Sequence, residues 1–566
     1  MAGHIIVCGM GQSGYRIVSL LLRLGERVTV VARETREEWR KATVARGVEV
    51  IEGDARDVTL LVQAGVDQAT CLIATTDNDL VNLEIALDTK KHRPELPVVL
   101  RIFDQTLAQQ LEKAFDVRSA LSMSAIAAPM FAAAAMGENA VCAFRMEEQL
   151  YVIQSLTLTS DSPLANRTMQ DLGAHLHLAV LEHTRQEGTS QDVPQPETQV
   201  CPGDHVTVLS KLIDWERYVE VPQNRSEQLP GWRRALDLLL RGFHPAFWRD
   251  FMRELWRGTS RPLKTIFLIL NLLILLSVGI FHLAMHLTFL DALYFVISTV
   301  TTVGYGDITV ANAPPALKLY CCLLMLIGSA TMATLFSIIT DYIVTSRFQQ
   351  ILGRQNTPQA GHYIVVGLGT VGYRLVDKLY RVGAHVVAVD NDPACEFAES
   401  VRGMAPVVVG DARLRTTLEK VGAANARAVL AVTSNDAVNL GIALETKQIN
   451  PKVRTVVRLA DPDFAEKVKS HLQIDAALGA FLISAPTFVA AAFYTDVRHA
   501  FVQDDFLFAI LHRPVRDEWH GRTPMQLHTE QETNILMRHR PGSKEFRVLS
   551  PELPLDREEW VLALVR

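Results

Sequence analysis

The 566-residue sequence predicts a multidomain fold: an α-helical two-span membrane segment between two α/β Rossmann-like domains, each followed by a small α+β module. Three observations predict it. Two uncharged apolar runs lie near the middle of the chain, a glycine-rich turn follows an apolar strand twice, and the segments around the two turns repeat each other. A chain this long exceeds one hydrophobic core, so several domains are expected.

Composition and charge argue against several classes of protein. The formal net charge of −6 gives no reason to expect nucleic acid as a partner, because its binders concentrate positive charge. Seven cysteines without a CxxC pair argue against a disulfide framework and a structural zinc site. The first residues, MAGHIIVCGMGQSG, lack the features of a signal peptide and are typical of a first strand.

The two apolar runs are predicted membrane spans. Thr265 to Met285 and Leu319 to Thr340 contain no charged residue before Asp341. Each run is long enough to cross a bilayer. Two buried core helices are the alternative, but such helices rarely stay free of charge over about 20 residues. The chain is therefore expected to contact the lipid bilayer.

The charges that flank the spans predict their orientation. Eight Arg and Lys residues lie between Trp232 and Lys264, and none lies between residues 286 and 317. The positive-inside rule then places both termini in the cytoplasm, which predicts a two-span protein of the inner cell membrane. The Arg- and Trp-rich stretch before the first span is either an interfacial helix or an ordinary linker helix.

The chain contains an internal duplication. Gly9 and Gly367 are 358 positions apart, and four further pairs are each 357 positions apart. These pairs are Asp54 and Asp411, Asn82 and Asn439, Arg101 and Arg458, and Pro129 and Pro486. Each copy alternates short β-branched runs with helical segments, which is the pattern of a parallel βαβ sheet.

Each copy opens with a GxGxxG turn after its first strand. In Rossmann domains these glycines permit the tight turn, let the backbone approach a pyrophosphate and bring the helix close to the strand. The strand context and the second copy make this motif more specific than a lone match. The predicted nucleotide-binding glycines are Gly9, Gly11, Gly14, Gly367, Gly369 and Gly372.

The two predicted nucleotide sites differ at the end of the second strand. Asp390 stands in the C-terminal copy where a carboxylate would bind ribose hydroxyls. The N-terminal copy has Ala32 there, followed by Arg33, which suits a phosphorylated ribose or another anion, unless the site is vestigial. Asp54 and Asp411 are predicted to face the same crevices from the third strands, although a turn-forming Gly-Asp is also consistent.

The predicted domain boundaries follow from these patterns. Neither small module contains a cluster of catalytic residue types, so no catalytic residues are assigned. The predicted divisions are 1–140 for the first Rossmann domain, 141–222 for its module, 223–262 for the linker, 263–348 for the two-span segment, 360–498 for the second Rossmann domain and 499–566 for its module.

The segment between the spans ends in TVGYGD. Apolar residues from Phe289 to about Val300 predict a short helix that enters the membrane partway. Gly304 and Gly306 then permit backbone geometries in which successive carbonyl groups point the same way, and rings of such carbonyls replace the hydration shell of K⁺. A loop in a soluble turn is the alternative, but it ignores both spans.

The predicted selectivity filter comprises six residues with distinct roles. Thr302 would add a hydroxyl ring, Tyr305 would point away and brace the loop, and Asp307 would attract cations at the outer mouth. One loop cannot form a ring, so four chains are expected to assemble as a homotetramer. The filter is Thr302, Val303, Gly304, Tyr305, Gly306 and Asp307, with K⁺ as its ion.

With these motifs the chain resembles two-span potassium channels that carry RCK (TrkA-type) regulatory domains. The resemblance covers nearly the whole sequence and implies a gating ring in which a nucleotide, NAD(H) or ATP/ADP, controls a potassium pore. It further implies that Gly328 is a hinge of the second span, unless it is a packing glycine. Asp341 would line the cytosolic mouth or lie at the interface.

Two departures from the family stand out. RCK domains more often both follow the pore, and Ala32 lacks the acidic group of nucleotide-binding members. Ca²⁺ is a further family ligand, but the acids Asp77, Asp79 and Asp436 are scattered and do not form an EF-hand loop. A regulatory subunit of a potassium transporter and an NAD(P)-dependent membrane oxidoreductase remain the rival hypotheses.

Overall fold

The computed structural model describes residues 3–212, 261–351 and 360–565, apart from short gaps at 104–107, 109, 111, 113–115, 138–139, 177, 187–189, 193–194, 196, 504, 532, 542, 544–545 and 549–551. The chain forms two compact units. One combines residues 1–221 and 355–566, and the other contains residues 222–354. The predicted linker before the first span lies almost wholly outside the described residues.

The first Rossmann domain is a six-stranded parallel sheet of order β3-β2-β1-β4-β5-β6. This order places the switch point between β1 and β4, where Rossmann domains bind nucleotides. Its elements are β1 (Ile5–Met10), α1 (Gln12–Arg23), β2 (Val28–Thr35), α2 (Glu37–Val44), β3 (Glu49–Glu52), α3 (Val58–Gln63), β4 (Cys71–Ala74), α4 (Asp79–His92), β5 (Val98–Arg101), β6 (Ser119–Leu121) and α5 (Met123–Met136).

The first small module is a five-stranded antiparallel sheet of order β10-β9-β11-β8-β7 with one helix. Alternating burial along β9 shows that one face of this strand packs inward. The elements are β7 (Ala140–Met146), β8 (Gln149–Thr157), α6 (Met169–Leu176), β9 (Ala179–Thr184), β10 (Ser190–Asp192) and β11 (His205–Lys211).

The second compact unit contains three described helices: α7 (Arg261–Met285), α8 (Phe289–Val300) and α9 (Pro315–Ile351). They share an apolar core in which Phe281 of α7 packs edge-on against Phe295 of α8, with ring centroids 4.9 Å apart. Among the described residues, one segment, Pro315–Thr334 of α9, is long and apolar enough to cross a membrane, and Leu270–Met285 of α7 is a shorter apolar helix.

The second Rossmann domain repeats the first, with strand order β14-β13-β12-β15-β16-β17. Its elements are β12 (Tyr363–Val366), α10 (Thr370–Arg381), β13 (Val386–Asp390), α11 (Ala398–Arg402), β14 (Val407–Val409), α12 (Arg415–Lys420), β15 (Ala428–Ala431), α13 (Asp436–Ile449), β16 (Arg454–Arg458), α14 (Pro462–His471), β17 (Ala476–Leu478) and α15 (Ala480–Phe493). The predicted pair of Rossmann-like α/β domains is confirmed.

The second small module is again a five-stranded antiparallel sheet, of order β18-β19-β22-β20-β21. Its inner face and that of the first module form one core, in which Phe144 and Tyr151 lie with Ile510 and Leu562. The elements are β18 (Val497–Gln503), β19 (Phe506–Pro514), α16 (Pro524–Gln531), β20 (Asn534–His539), β21 (Arg547–Val548) and β22 (Trp560–Val565).

The two copies exchange their last Rossmann helices. Phe131 of α5 is buried among residues of the second domain, including Leu375 of α10. Phe488 of α15 is buried in the first domain beside Leu21 of α1. Both helices are apolar on all sides, which requires cover all round. The exchange provides that cover and joins the two copies into one compact unit.

Candidate functional site

The predicted filter loop is held at the end of α8. Thr288 caps the start of this helix, accepting a hydrogen bond from the Asp291 backbone N–H at 3.2 Å. At the other end the Ser298 carbonyl accepts backbone N–H groups from Val303 and Gly304, at 3.0 and 3.1 Å. The loop therefore leaves the helix in a fixed direction just after Val300.

The loop backbone adopts positive φ at alternating residues. The φ values are 61° at Thr302, 55° at Gly304 and 80° at Gly306. Glycine is the residue that adopts such angles without steric cost, which explains two of the three residue types. Thr302 is a non-glycine residue in the left-handed region, an arrangement that clusters at functional sites.

Side chains of the loop contact α8. The Tyr305 ring stacks on Tyr294 with a centroid distance of 6.3 Å and an interplanar angle of 6°. The Tyr294 hydroxyl also lies beside the carboxylate of Asp307. Tyr305 thus contacts the helix that precedes the loop, and its role in bracing a filter stays a prediction.

The two predicted gating residues lie on α9. Gly328 is buried, and a Cβ added there would lie 3.2 Å from the Cα of Val300. This contact shows that Gly328 allows close packing of α9 against the end of α8; its role as a hinge stays a prediction. Asp341 lies within the described backbone of α9, and its side chain is outside the described residues.

The glycine turns of both Rossmann domains are built alike. A Cβ on Gly14 would lie 1.9 Å from the carbonyl oxygen of Gly9, and a Cβ on Gly372 would lie 1.9 Å from that of Gly367. No side chain fits there, so the third glycine of each motif brings the helix onto the strand. The N-termini of α1 and α10 then face the two crevices with their free N–H groups.

The repeated Asn explains part of the duplicated pattern. Asn82 is fully buried; its oxygen accepts the backbone N–H of Thr76 at 2.8 Å and its amide donates to the Arg101 carbonyl at 3.0 Å. Asn439 makes the equivalent bonds to Thr433 and Arg458, both at 2.9 Å. Each Asn thus fixes the strand ends that form the crevice wall.

The crevice of the first copy holds a cavity of about 650 Å³. Its lining includes residues that sequence reasoning missed. Arg101, at the end of β5, is one of them, and its recurrence as Arg458 is the sequence signal that points to it. Phe481 comes from the exchanged helix α15, and no sequence pattern links it to this site. The residues that the sequence analysis places at this crevice and that line the cavity are Gly9, Gly11, Ala32, Arg33 and Asp54.

Arginines surround the carboxylate of the first crevice. Asp54 pairs with Arg33 and with Arg56, whose guanidinium also contacts Glu84 at 3.0 Å. The hydrogen bonds from Arg56, followed by those from Arg33, hold the pKa of Asp54 well below its usual range. Ala32 is buried and supplies no polar group. At the end of β2 this crevice therefore presents Arg33, and Ala32 offers no carboxylate to a ribose.

The second crevice is acidic at the same place. The strand register aligns Asp390 with Ala32, since Tyr363 pairs with Val386 as Ile5 pairs with Val28. The Asp390 carboxylate accepts the backbone N–H groups of Leu368 at 2.6 Å and Asp392 at 2.9 Å.

These two bonds leave further acceptor capacity on each Asp390 oxygen. Asp411 bonds to Arg413 alone among the described side chains, at 2.7 to 3.1 Å, and these bonds lower its pKa. The second crevice therefore has a free acidic edge where the first has an arginine.

Two of the three acids considered as calcium ligands have structural partners. Asp79 accepts the backbone N–H of Phe103 at 2.7 Å, and Asp436 accepts that of Ala460 at 2.8 Å. Asp77 lines the first crevice. Within the part of the chain that the structure describes, no group of three or more His, Cys, Asp or Glu is placed to hold a metal ion.

Comparison with known protein families assigns three domains. The TrkA-N domain family matches residues 5–122 and 363–479, and the ion channel family matches residues 268–345. Two TrkA-N domains thus flank an ion-channel domain in this chain. This confirms the resemblance drawn from the GxGxxG repeats and the TVGYGD loop.

Curated relatives include named potassium channels. Voltage-gated potassium channel Kch of Escherichia coli is 28% identical over 185 residues, which cover 32% of this chain and 44% of that protein. Probable potassium channel protein 2 of Methanocaldococcus jannaschii is 26% identical over 220 residues, covering 37% and 63%. The chain thus spans less than two thirds of the length of these relatives.

Among solved structures, the GsuK RCK domain aligns over 100% of this chain and 92% of its own. The TM-score is 0.49 and the sequence identity is 14%, which is too distant to support a functional argument.

Proposed function

We propose that the chain is a potassium-selective channel whose opening is controlled by a ligand of its RCK domains. The loop Thr302–Asp307 carries the proposal, because its glycines hold positive φ directly after the short helix α8. Backbone carbonyls arranged in a ring coordinate K⁺, and one chain supplies one quarter of such a ring. The functional unit is therefore a homotetramer with K⁺ in the filter.

Helices α7 and α9 support a two-span membrane arrangement. Both helices cross the inner cell membrane, and the Arg-rich flanks place both termini in the cytoplasm. The match of residues 268–345 to the ion channel family supports this arrangement. The helices exceed the length that a bilayer core of about 30 Å requires.

The regulatory ligand is a nucleotide. Asp390 and the N–H groups at the start of α10 suit the ribose and phosphates of NAD(H), ATP or ADP in the second crevice. Arg33 suits a nucleotide with a phosphorylated ribose in the first crevice, once it exchanges Asp54 for the ligand. A ligand shifts the pore equilibrium only by its difference in affinity for the closed and open states.

The rival functions have less support. A TrkA homolog of Pyrococcus abyssi, named as a potassium uptake protein, is 34% identical over 104 residues, which favours a transporter subunit. The match to the ion channel family favours conduction by the chain itself. The named potassium channels among the relatives favour a protein that is not an enzyme over an oxidoreductase.

Potassium flux into liposomes tests the proposal. The purified full-length chain should carry K⁺ in preference to Na⁺, in a manner that depends on NAD⁺, NADH, ATP or ADP. Gly304→Ala should abolish this selective flux, because a φ of 55° costs an L-residue about 1 to 2 kcal/mol in each of four subunits.

Gly279→Ala is the matched control. Gly279 lies in α7, and an added Cβ there meets no atom within 4 Å, so flux should persist. The proposal fails if no nucleotide in the panel elicits K⁺ flux, or if flux in Gly304→Ala equals that of the unaltered chain.

A further inference from the structure

A second cavity lies at the junction of the two Rossmann copies and shares no lining residue with the nucleotide crevice. Its volume is about 530 Å³, which falls within the range of small-molecule sites. The lining is largely aliphatic and comes from α1, α5 and α15 and from the first strands of both small modules; it includes Leu20, Met130, Val141, Ile483, Pro486 and Val502. We name it the junction cavity.

His499 is a buried polar residue that lines the junction cavity. Its side chain is 3% exposed and stacks on Phe144 with ring centroids 6.0 Å apart. Among the described residues, neither ring nitrogen has a hydrogen-bond partner, and burial lowers the pKa of the ring to about 4. A buried neutral imidazole without partners is costly, and it presents one donor and one acceptor to whatever enters the cavity.

Arg16 supplies a cation at the same cavity. This residue of α1 is half-buried, and its guanidinium lies 5.8 Å from the centroid of the Tyr15 ring. Within the described part of the chain, no carboxylate pairs with it. The other arginine of the lining, Arg23, is bound to Asp505 at 2.8 Å. Arg16 is therefore the cation free to bind an anion.

The equivalent junction, where α10 takes the place of α1, has a much smaller cavity. A cavity of about 170 Å³ lies there, lined by Arg374 and Lys378, which align with Arg16 and Leu20. Lys378 pairs with Asp377 and Arg374 donates to the Ser124 hydroxyl at 3.0 Å, so both cations are satisfied within the protein. His499 borders both cavities, and the larger one adds Arg16, which has no carboxylate partner among the described residues.

We propose that the junction cavity binds a small organic anion with an apolar body, such as an aryl carboxylate. The apolar body fills the aliphatic lining, the carboxylate pairs with Arg16, and a polar atom of the ligand hydrogen-bonds to His499. The site is distinct from the nucleotide crevices and stands independently of ion conduction. It lies beside α15, whose Phe481 reaches the first crevice.

Calorimetry with 2-naphthylacetate tests this site on the full-length protein in detergent, after subtraction of titrations into empty micelles. A rigid fragment of this size should bind with a dissociation constant of about 1 mM or below. The uncharged 2-naphthylacetamide should bind at least several-fold more weakly, because it cannot pair with Arg16.

Three variants locate the binding. His499→Phe keeps the stacked ring but removes both nitrogens, so affinity should fall roughly tenfold while the ligand-free melting temperature stays equal or rises. Arg16→Gln should weaken binding by a similar factor, and Leu20→Trp should block the cavity. Arg46→Gln is the charge-matched control at an exposed loop outside the lining, and it should bind as the unaltered chain does.

The proposal is overturned if 2-naphthylacetate does not bind at millimolar concentration. It is equally overturned if His499→Phe and Arg16→Gln bind it as tightly as Arg46→Gln does. Because Arg16 and His499 lie outside both nucleotide crevices and the pore loop, neither result depends on potassium flux.

Discussion

The two Rossmann copies share their strand order and the close packing of the third glycine, yet the mouths of their crevices carry different charges. In the first copy Arg33 follows a buried Ala32 and pairs with Asp54. In the second copy Asp390 keeps acceptor capacity beyond its two backbone partners. The features common to both copies are those the backbone requires, and the features that differ lie at the mouths of the crevices.

Substitution of the third glycine should produce the largest effect and should affect both copies equally. In Gly14→Ala and Gly372→Ala the new Cβ would lie 1.9 Å from a carbonyl oxygen, so the helix must move away from the strand. We expect a loss of about 3 kcal/mol or more in stability for each variant, measured as a fall in the thermal unfolding midpoint.

Gly11→Ala and Gly369→Ala are the controls for this comparison. At both positions an added Cβ meets nothing within 4 Å, and φ is −72° and −77°. Their unfolding midpoints should stay close to that of the unaltered chain. If Gly14→Ala unfolds no earlier than Gly11→Ala, the close helix contact is not what the glycine provides.

The two small modules should differ in how acid affects their stability, and this difference should be smaller than the effect of the glycine substitutions. His512 and His499 of the second module align with Ser155 and Cys142 of the first. Burial lowers the pKa of both histidines to about 4, with Arg498 and His539 adding to the shift at His512. The His512 and His539 rings meet through their Nε2 atoms at 2.9 Å.

A pKa lowered by folding means that the unfolded chain binds more protons between about pH 6.5 and pH 4. The stability that the two histidines contribute is therefore fully present above pH 6.5 and is lost as the pH falls towards 4. Hydrogen exchange at pH 7.5 and pH 5.5 should show the second module opening first in acid. His499→Phe should reduce that difference, and equal acid responses of both modules would contradict the assignment.

Local sequence patterns predicted most of the fold because its elements depend on neighbouring residues. The GxGxxG spacing, the repeated Asn82 and Asn439, and the Ala32–Asp390 difference all appear in the structure where the register places them. The exchange of α5 and α15 was not predictable in this way. A helix that is apolar all round must be buried, but its sequence does not specify which copy covers it.

The contacts of charged residues in the crevices were also not predictable from local sequence. The sequence predicts that Arg33 meets a phosphorylated ribose or another anion, and in the structure Arg33 pairs with Asp54, which lies just after β3. Phe481 reaches the first crevice only because α15 crosses between copies. The roles of the filter residues, of Gly328 and of Asp341 stay predictions, because an ion pathway of this kind is formed by several chains.

The central proposal is that two different nucleotide crevices control one potassium pore. Its most direct test is K⁺ flux measured against nucleotide concentration. In Asp390→Ala the NAD⁺ or ADP concentration for the half-maximal change in flux should rise at least tenfold, since the ribose loses its carboxylate partner. In Arg33→Ala that value should stay unchanged, while the response to NADP⁺ should weaken. Equal shifts in both variants, or none in either, would contradict the account.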